Sequence, residues 1–322
     1  MFRHASSVIA MLLALCACGG GSQIESGGDA SSVCGVEPAL SVDPGDVDKA
    51  IGLPETLSGS QPVLLIHGTG STSFESWHGT YLPALTAAGY DVFTLDLPGK
   101  AYVDIQQSSE YLVHALRVIA NLTGKRVDVI THSQGGLEAR WALKWWPDTR
   151  GLVDDVVTLG APNHGTTIAN AYCVPGCKPA HWQQRRGSQF IAAIDDGDLG
   201  VAASATSIYS DNDELVEPEI GDATSAIAGA ANIAIQDLCP GRPVDHVGLM
   251  RDGAVYAIVI DALTHDGPAD LSRVNALACA DLLIPGIGPV ASLQGNYYFF
   301  ASGNSDVPDA PEEPPLAPYV CR

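Results

Sequence analysis

Ser133 stands in Val127-Asp-Val-Ile-Thr-His-Ser-Gln-Gly-Gly136, where a short apolar strand breaks into a tight turn and then a helix-like run from Leu137 to Trp146. A serine set between strand and helix in this way sits on a nucleophile elbow, with its hydroxyl lifted clear of the strand end. Gly135 and Gly136 let the backbone turn sharply without a Cβ clash. The motif departs from Gly-x-Ser-x-Gly at its first position, which is Thr131. Most serines are solvated surface residues, and it is the flanking strand and helix that single this one out. A serine hydroxyl is a poor nucleophile near neutral pH. It needs a histidine to take its proton and a carboxylate to hold that histidine.

Behind such an elbow the acid and then the base follow the serine along the chain. Four histidines lie beyond Ser133: His164, His181, His246 and His265. His164 precedes every candidate acid, and His181 falls in a region without strands. Chain order therefore leaves His246, in Val244-Asp-His-Val-Gly-Leu249, and His265, in Thr264-His-Asp-Gly-Pro268. His246 leads into an apolar segment and is the expected base; His265 reads as a solvated loop residue. For the acid, Asp211, Asp213 and Glu214 compete in Tyr209-Ser-Asp-Asn-Asp-Glu-Leu-Val-Glu-Pro218, and Asp213 is expected. A calcium loop at Asp211-Asn-Asp213 lacks the spaced ligands and closing glutamate such loops need. Asp195, Asp196 and Asp198 read as a solvated turn.

Attack on an acyl carbon creates an oxyanion that backbone N–H groups must stabilise. Gln134, next after the serine, supplies one donor, and the loop after an early strand supplies the other. His67-Gly-Thr-Gly70 occupies that loop, so Thr69 is the second expected donor, with its hydroxyl as a third. His67 reads as a residue that shapes the loop.

Elements that hold these residues follow from apolar periodicity. Buried strands are expected at 62–66, 90–95, 127–130, 153–159 and 206–210, with helices at 82–88 and 108–122. In the latter, Leu112, Ala115, Leu116 and Ile119 fall at helical spacing. Strands alternating with helices imply parallel βαβ units in a mostly parallel, doubly wound sheet, which binds ligands at the carboxyl ends of its strands. His67, Ser133 and Asp213 each follow a strand. With the elbow, this is the α/β-hydrolase fold as an expectation. Residues 163–205 show no clear strand and read as a cap or lid insertion, with helical character over Trp182–Ile194. The domain is expected over 61–322, with 18–60 as a tether and lead-in and the Pro- and acid-rich tail, 305–322, wrapping the surface.

The formal net charge of −21 argues against nucleic acid and against electrostatic docking on anionic membranes. At the N-terminus Arg3 and His4 precede an apolar run, Val8 to Leu15, too short to span a bilayer. Residues 1–17 are expected to be a signal peptide. Leu15-Cys16-Ala17-Cys18-Gly19 resembles a bacterial lipobox, which makes Cys18 the expected lipidation site; the rival is a plain secretory signal cut near Ala17. Export as a secreted or outer-membrane lipoprotein follows. Six of the eight cysteines lie beyond the leader, an even number that suits disulfides in an exported chain. Cys173-Val-Pro-Gly-Cys177 is spaced for a local bridge. No second Cys/His pair stands at ligand spacing, so a metal site is not expected.

Taken together, these residues resemble the fungal lipase family of the Candida antarctica lipase B type. The elbow Thr131-His-Ser-Gln-Gly-Gly136 matches that family's, including the unusual threonine. His67-Gly-Thr-Gly70, Trp182-Gln-Gln-Arg-Arg-Gly-Ser188, Tyr209 to Pro218 and Cys239 to His246 match further blocks in order, over roughly residues 60–285. The resemblance implies Ser133, Asp213 and His246 as the triad and Thr69 and Gln134 as the oxyanion hole. It also implies a Cys239–Cys279 disulfide. With Cys173–Cys177 that leaves Cys34–Cys321 as a third pair. What it implies for function is a carboxylic-ester hydrolase, a triacylglycerol lipase acting on ester or lipid substrates as a monomer, with no cofactor. An esterase or polyester depolymerase with the same triad is the alternative, and a non-catalytic surface lipoprotein a third reading. Gly160-Ala-Pro-Asn-His-Gly-Thr166 looks like bacterial lipases. His132 replaces the family's tryptophan beside the nucleophile and is expected to alter the pocket volume.

Overall fold

The computed structural model describes residues 37–195, 204–217, 224–289 and 305–320. The leader, Cys18 and the Cys34–Cys321 pair all lie outside these residues.

Among the described residues seven strands form one sheet: β1 (Ile51–Gly52), β2 (Pro62–Ile66), β3 (Asp91–Leu95), β4 (Val127–His132), β5 (Val153–Leu159), β6 (Ser204–Tyr209) and β7 (Ala231–Ala234). Their order is β1-β3-β2-β4-β5-β6-β7, parallel throughout except for β1, which runs antiparallel to β3. This is an α/β-hydrolase fold. Alternation along β2 serves both faces. Leu64 and Ile66 pack into one apolar layer with Phe93, Leu95, Trp141 and Trp146, whereas Val63 and Leu65 join Trp77, Ile130, Val157 and Ile208 in the other.

Helices cover the two layers. α4 (Ile105–Thr123) begins where Asp104 accepts a hydrogen bond from the Gln106 N–H and ends at Gly124, whose φ of 67° is the left-handed stop a glycine takes without strain. α5 (Gly135–Trp145) starts directly from the elbow and packs on α4 in the first layer. On the second layer lie α2 (Ser73–Trp77), α3 (Tyr81–Ala87) and α10 (Gly253–Thr264). Asp252 caps α10, accepting from the Ala254 and Val255 N–H groups.

The structure departs from the expected elements at three places. Part of the expected lead-in is ordered: α1 (Pro44–Ala50) is capped by Asp43, has Pro44 at its first position, and feeds β1 onto the sheet edge. The helical stretch expected from Trp182 to Ile194 is two helices, α7 (Pro179–Gln183) and α8 (Gln189–Asp195), broken by a turn at Gly187 with φ 81°. β7 was not foreseen, since Ala-Asn-Ile-Ala carries little β-propensity.

α6 (Thr167–Tyr172), α7 and α8 lie in the expected cap region. The described part of the tail clamps this region. Cys177 and Ala310 pair antiparallel, Trp182 Nε1 donates to Ala310 O at 2.9 Å, and Lys178 Nζ reaches Asp309 at 3.0 Å. Disulfides join Cys173 to Cys177 within the cap and Cys239 to Cys279 behind the loop that carries His246. No helix among the described residues is long and apolar enough to cross a membrane.

Candidate active site

Ser133 has φ 51°, left-handed for a non-glycine residue, at the junction of β4 and α5. Such a backbone costs of order 1–3 kcal/mol and persists only where its surroundings over-determine it. Here the Ser133 N–H donates to Leu159 O at 2.8 Å, and α5 begins two residues later. Gly135 and Gly68 make the turn fit. A Cβ on Gly135 would come within 2.9 Å of His67 O, and one on Gly68 within 2.8 Å of Ser133 Cβ. The loop after β2 therefore lies against the elbow itself.

Asp213 and His246 meet across the ends of β6 and the loop after α9 (Ile235–Leu238), with Asp213 Oδ2 2.7 Å from His246 Nδ1. Both side chains are buried. Asp213 Oδ1 accepts from the Leu215 and Val216 N–H groups at 2.9 and 2.7 Å, which fixes the carboxylate and turns Oδ2 to the imidazole. Ser210 Oγ donates to Val244 O, and Gln236 Nε2 bridges Ser210 Oγ and Arg242 O, so the loops that carry Asp213 and His246 are tied together. Burial opposes the imidazolium of His246. The charge and hydrogen bond of Asp213, with Glu214 and Asp245 nearby, outweigh it and hold its pKa above the ordinary histidine value.

Ser133 and His246 line one cavity of about 280 Å³, together with Thr69, Gln184, Leu215 and Val216. α6 and Tyr102 also line it, as does His181, whose ring stands perpendicular to that of Tyr102 and stacks on that of Tyr172. Thr69 and Gln134 are in contact: the Thr69 hydroxyl donates to Gln134 Oε1. A larger opening, about 440 Å³, lies by Cys239–Cys279 and includes neither Ser133 nor His246.

The remaining candidates sit elsewhere. Glu214 accepts the His246 N–H at 3.1 Å and so holds the loop that carries His246. Asp211 is exposed. His265, at the end of α10, bonds Asp261 O at 3.0 Å. His164 binds Asp195 at 2.8 Å. Asp195 is exposed as expected but ends α8 rather than lying in a turn, and it also takes the buried Arg140 guanidinium at 2.8 Å. Asp196 and Asp198 lie outside the described residues. His67 is buried and accepts the Leu97 N–H at Nε2, which leaves Nδ1–H to donate to Gly68 O. Burial holds it neutral, with a lowered pKa.

His132 differs most from expectation. Its ring lies 4.7 Å from that of His246, and Nε2–H donates to His246 O at 3.1 Å. It is not among the residues that line the cavity. Burial and the neighbouring His246 keep its pKa well below the usual value, so it supports the His246 loop as a neutral donor. Sequence reading missed Gln184, which lines the cavity. Gln184 lay in plain view in the Trp182-Gln-Gln block, but nothing local marked its side chain as facing Thr69.

Among the described residues, one group of acids, Asp128, Asp154 and Asp155, comes close enough to share a cation. It lies at the start of β4 and β5, the sheet end opposite Ser133.

Comparison with known proteins adds the following. Residues 44–174 match a family described as a domain of unknown function, DUF7379. Lipase B of Pseudozyma antarctica is 31% identical over 211 residues, 63% of this chain and 62% of that protein, so the chain spans about three fifths of that relative's length. A triacylglycerol lipase of Burkholderia plantarii is 30% identical over 116 residues, covering 34% of this chain and 31% of that one. The crystal structure of Aspergillus fumigatus lipase B superposes with a TM-score of 0.83 at 30% identity, covering 88% of this chain and 74% of that one.

Proposed function

The chain belongs to the lipase B family of α/β-hydrolases, and on that footing we propose that it is a serine carboxylic-ester hydrolase with triacylglycerols among its substrates. The observation that carries this reading is that His246, held by Asp213 at 2.7 Å, lines one cavity with a strained Ser133. Ser133 Oγ attacks the ester carbonyl carbon while His246 Nε2 takes its proton. Asp213 holds Nδ1–H, fixes the tautomer and stabilises the imidazolium. The oxyanion lies against the Thr69 and Gln134 N–H groups. Collapse breaks the ester C–O bond, and His246 returns the proton to the departing alcohol. Water then attacks the acyl-enzyme with His246 again as base, which frees the acid and Ser133.

Apolar Ile168, Ala169, Leu215 and Val216 in the cavity wall support an acyl or alkyl chain there. Tyr172 and Val174, 61% and 79% exposed, extend an apolar rim outward beside the disulfide. Such a rim suits water-insoluble substrates better than small polar esters. The two disulfides suit an oxidising, extracytoplasmic compartment. Lipidation at Cys18 and a monomeric state belong to the same proposal.

Initial rates on p-nitrophenyl acetate, butyrate, octanoate and palmitate, and on emulsified triolein, test the substrate class. Activity that persists to palmitate and includes triolein is expected. Hydrolysis confined to acetate would replace the lipase reading with a short-chain esterase, and none on any ester would sink both.

A further inference from the structure

Glu138 is fully buried on α5, one turn beyond Gln134. A carboxyl group in that position is costly to bury unless hydrogen bonds compensate it. Its Oε1 accepts from Gln134 Nε2 at 2.8 Å and from Ser108 Oγ at 2.7 Å. Gln134 Oε1 in turn accepts from Gln184 Nε2 at 2.9 Å and from the Thr69 hydroxyl. Gln184 Nε2 also reaches Thr69 Oγ1 at 3.1 Å.

The direction of every bond in this chain follows from its buried end. Glu138 Oε1 offers only lone pairs to Gln134, whether the group is ionised or carries a proton on Oε2. Gln134 must therefore turn its NH2 towards Glu138 and its carbonyl towards Thr69 and Gln184. With the amide reversed, its NH2 would face the Gln184 NH2, two donors without an acceptor between them.

We propose that Glu138 is a positioning residue for the oxyanion hole: its buried carboxyl orients the Gln134 side chain, which ties Thr69 of the loop after β2 to the elbow. This rests on the reading of Thr69 and Gln134 as the oxyanion donors. The two donors belong to separate elements, and this side-chain bond spans them. Burial pushes the Glu138 pKa up to about 7 against the pull of Gln134 and Ser108. The anchor needs only an acceptor at Oε1, so it works in either protonation state, and glutamine is its faithful mimic.

An oxyanion forms only in the transition state, so loosening its donors lowers kcat and spares KM. Rates are read per active site, counted by the acyl-enzyme burst, so that unfolded protein does not contribute. Glu138→Met is expected to lower kcat about tenfold or more with KM within about twofold, and Glu138→Gln to keep most of the rate; loss of one oxyanion donor costs about a hundredfold or more elsewhere. In a Thr69→Val background Glu138→Met should cost much less than it does alone, because both act through one chain. Wild-type kcat in Glu138→Met, a loss shared equally by KM, or full additivity with Thr69→Val would overturn the inference. If Glu138→Met does not yield folded protein, Gln134→Met keeps the backbone N–H and cuts the chain in its middle. An equal kcat loss there supports the inference, and an unchanged kcat overturns it. Absent ester hydrolysis in the wild type would instead sink the functional reading itself; an active wild type indifferent to Glu138 sinks only this one.

Discussion

Ser133→Ala is expected to cut kcat for ester hydrolysis by about ten-thousandfold or more, with thermal stability almost unchanged. The loss is large because the acyl-enzyme route needs an oxygen at this one position, and water held by His246 has no comparable approach to a bound ester. Stability should hold because the elbow is built by other groups. The Ser133 N–H bond to Leu159 O remains. The packing of Gly135 and Gly68 around the turn does not involve the hydroxyl. Alanine also keeps the unfavourable φ of 51°, so no strain is released. Steady-state rates on p-nitrophenyl butyrate and a melting curve measure both halves. A variant with wild-type rates would remove the serine from the mechanism.

Asp213→Asn should lower kcat by about ten-thousandfold as well, for a different reason. An asparagine at Oδ2 presents NH2 to His246 Nδ1 and favours the tautomer with its proton on Nε2, where it cannot accept from Ser133. The pH profile separates this from simple disruption. The imidazolium is the inactive form, and in the wild type Asp213, Glu214 and Asp245 raise its pKa against burial. Activity should therefore rise with pH through a midpoint above about 6.5, the value of an unperturbed histidine. Removing the Asp213 charge leaves burial less opposed, so the residual activity of Asp213→Asn should have its acid limb at lower pH. A limb that stays in place would assign the titration to another group. His265→Ala, at the far end of α10, is the control and should leave the profile intact.

Much of this site was readable before any coordinates. Glycines after a serine at a strand end, and acid and base in order behind it, come from local chemistry that a single chain displays. The choice of Asp213 over Asp211 and Glu214 leaned on a resemblance, and the structure supplies its geometric content: Asp213 faces the imidazole, while Glu214 takes the backbone N–H of the same residue. α1 was marked locally, since Asp43-Pro44 is a helix start, although the Gly- and Ser-rich stretch before it obscures that signal. β7 was not, because its four residues become a strand only by pairing with β6. Glu138 shows the sharper limit. On a helical wheel it is one more polar residue, and only its burial against Ser108 and Gln134 distinguishes it. His132 was placed beside the nucleophile correctly in sequence but faces the base loop rather than the cavity, a matter of side-chain direction that spacing does not encode.

The central claim is that Ser133 is the nucleophile, and covalent trapping tests it most directly. Active protein treated with diethyl p-nitrophenyl phosphate and digested for mass spectrometry should carry a single diethylphosphoryl group, on the peptide containing Ser133, in step with loss of ester hydrolysis. Full inactivation with the adduct on any other residue, or full modification of Ser133 with activity retained, would contradict it.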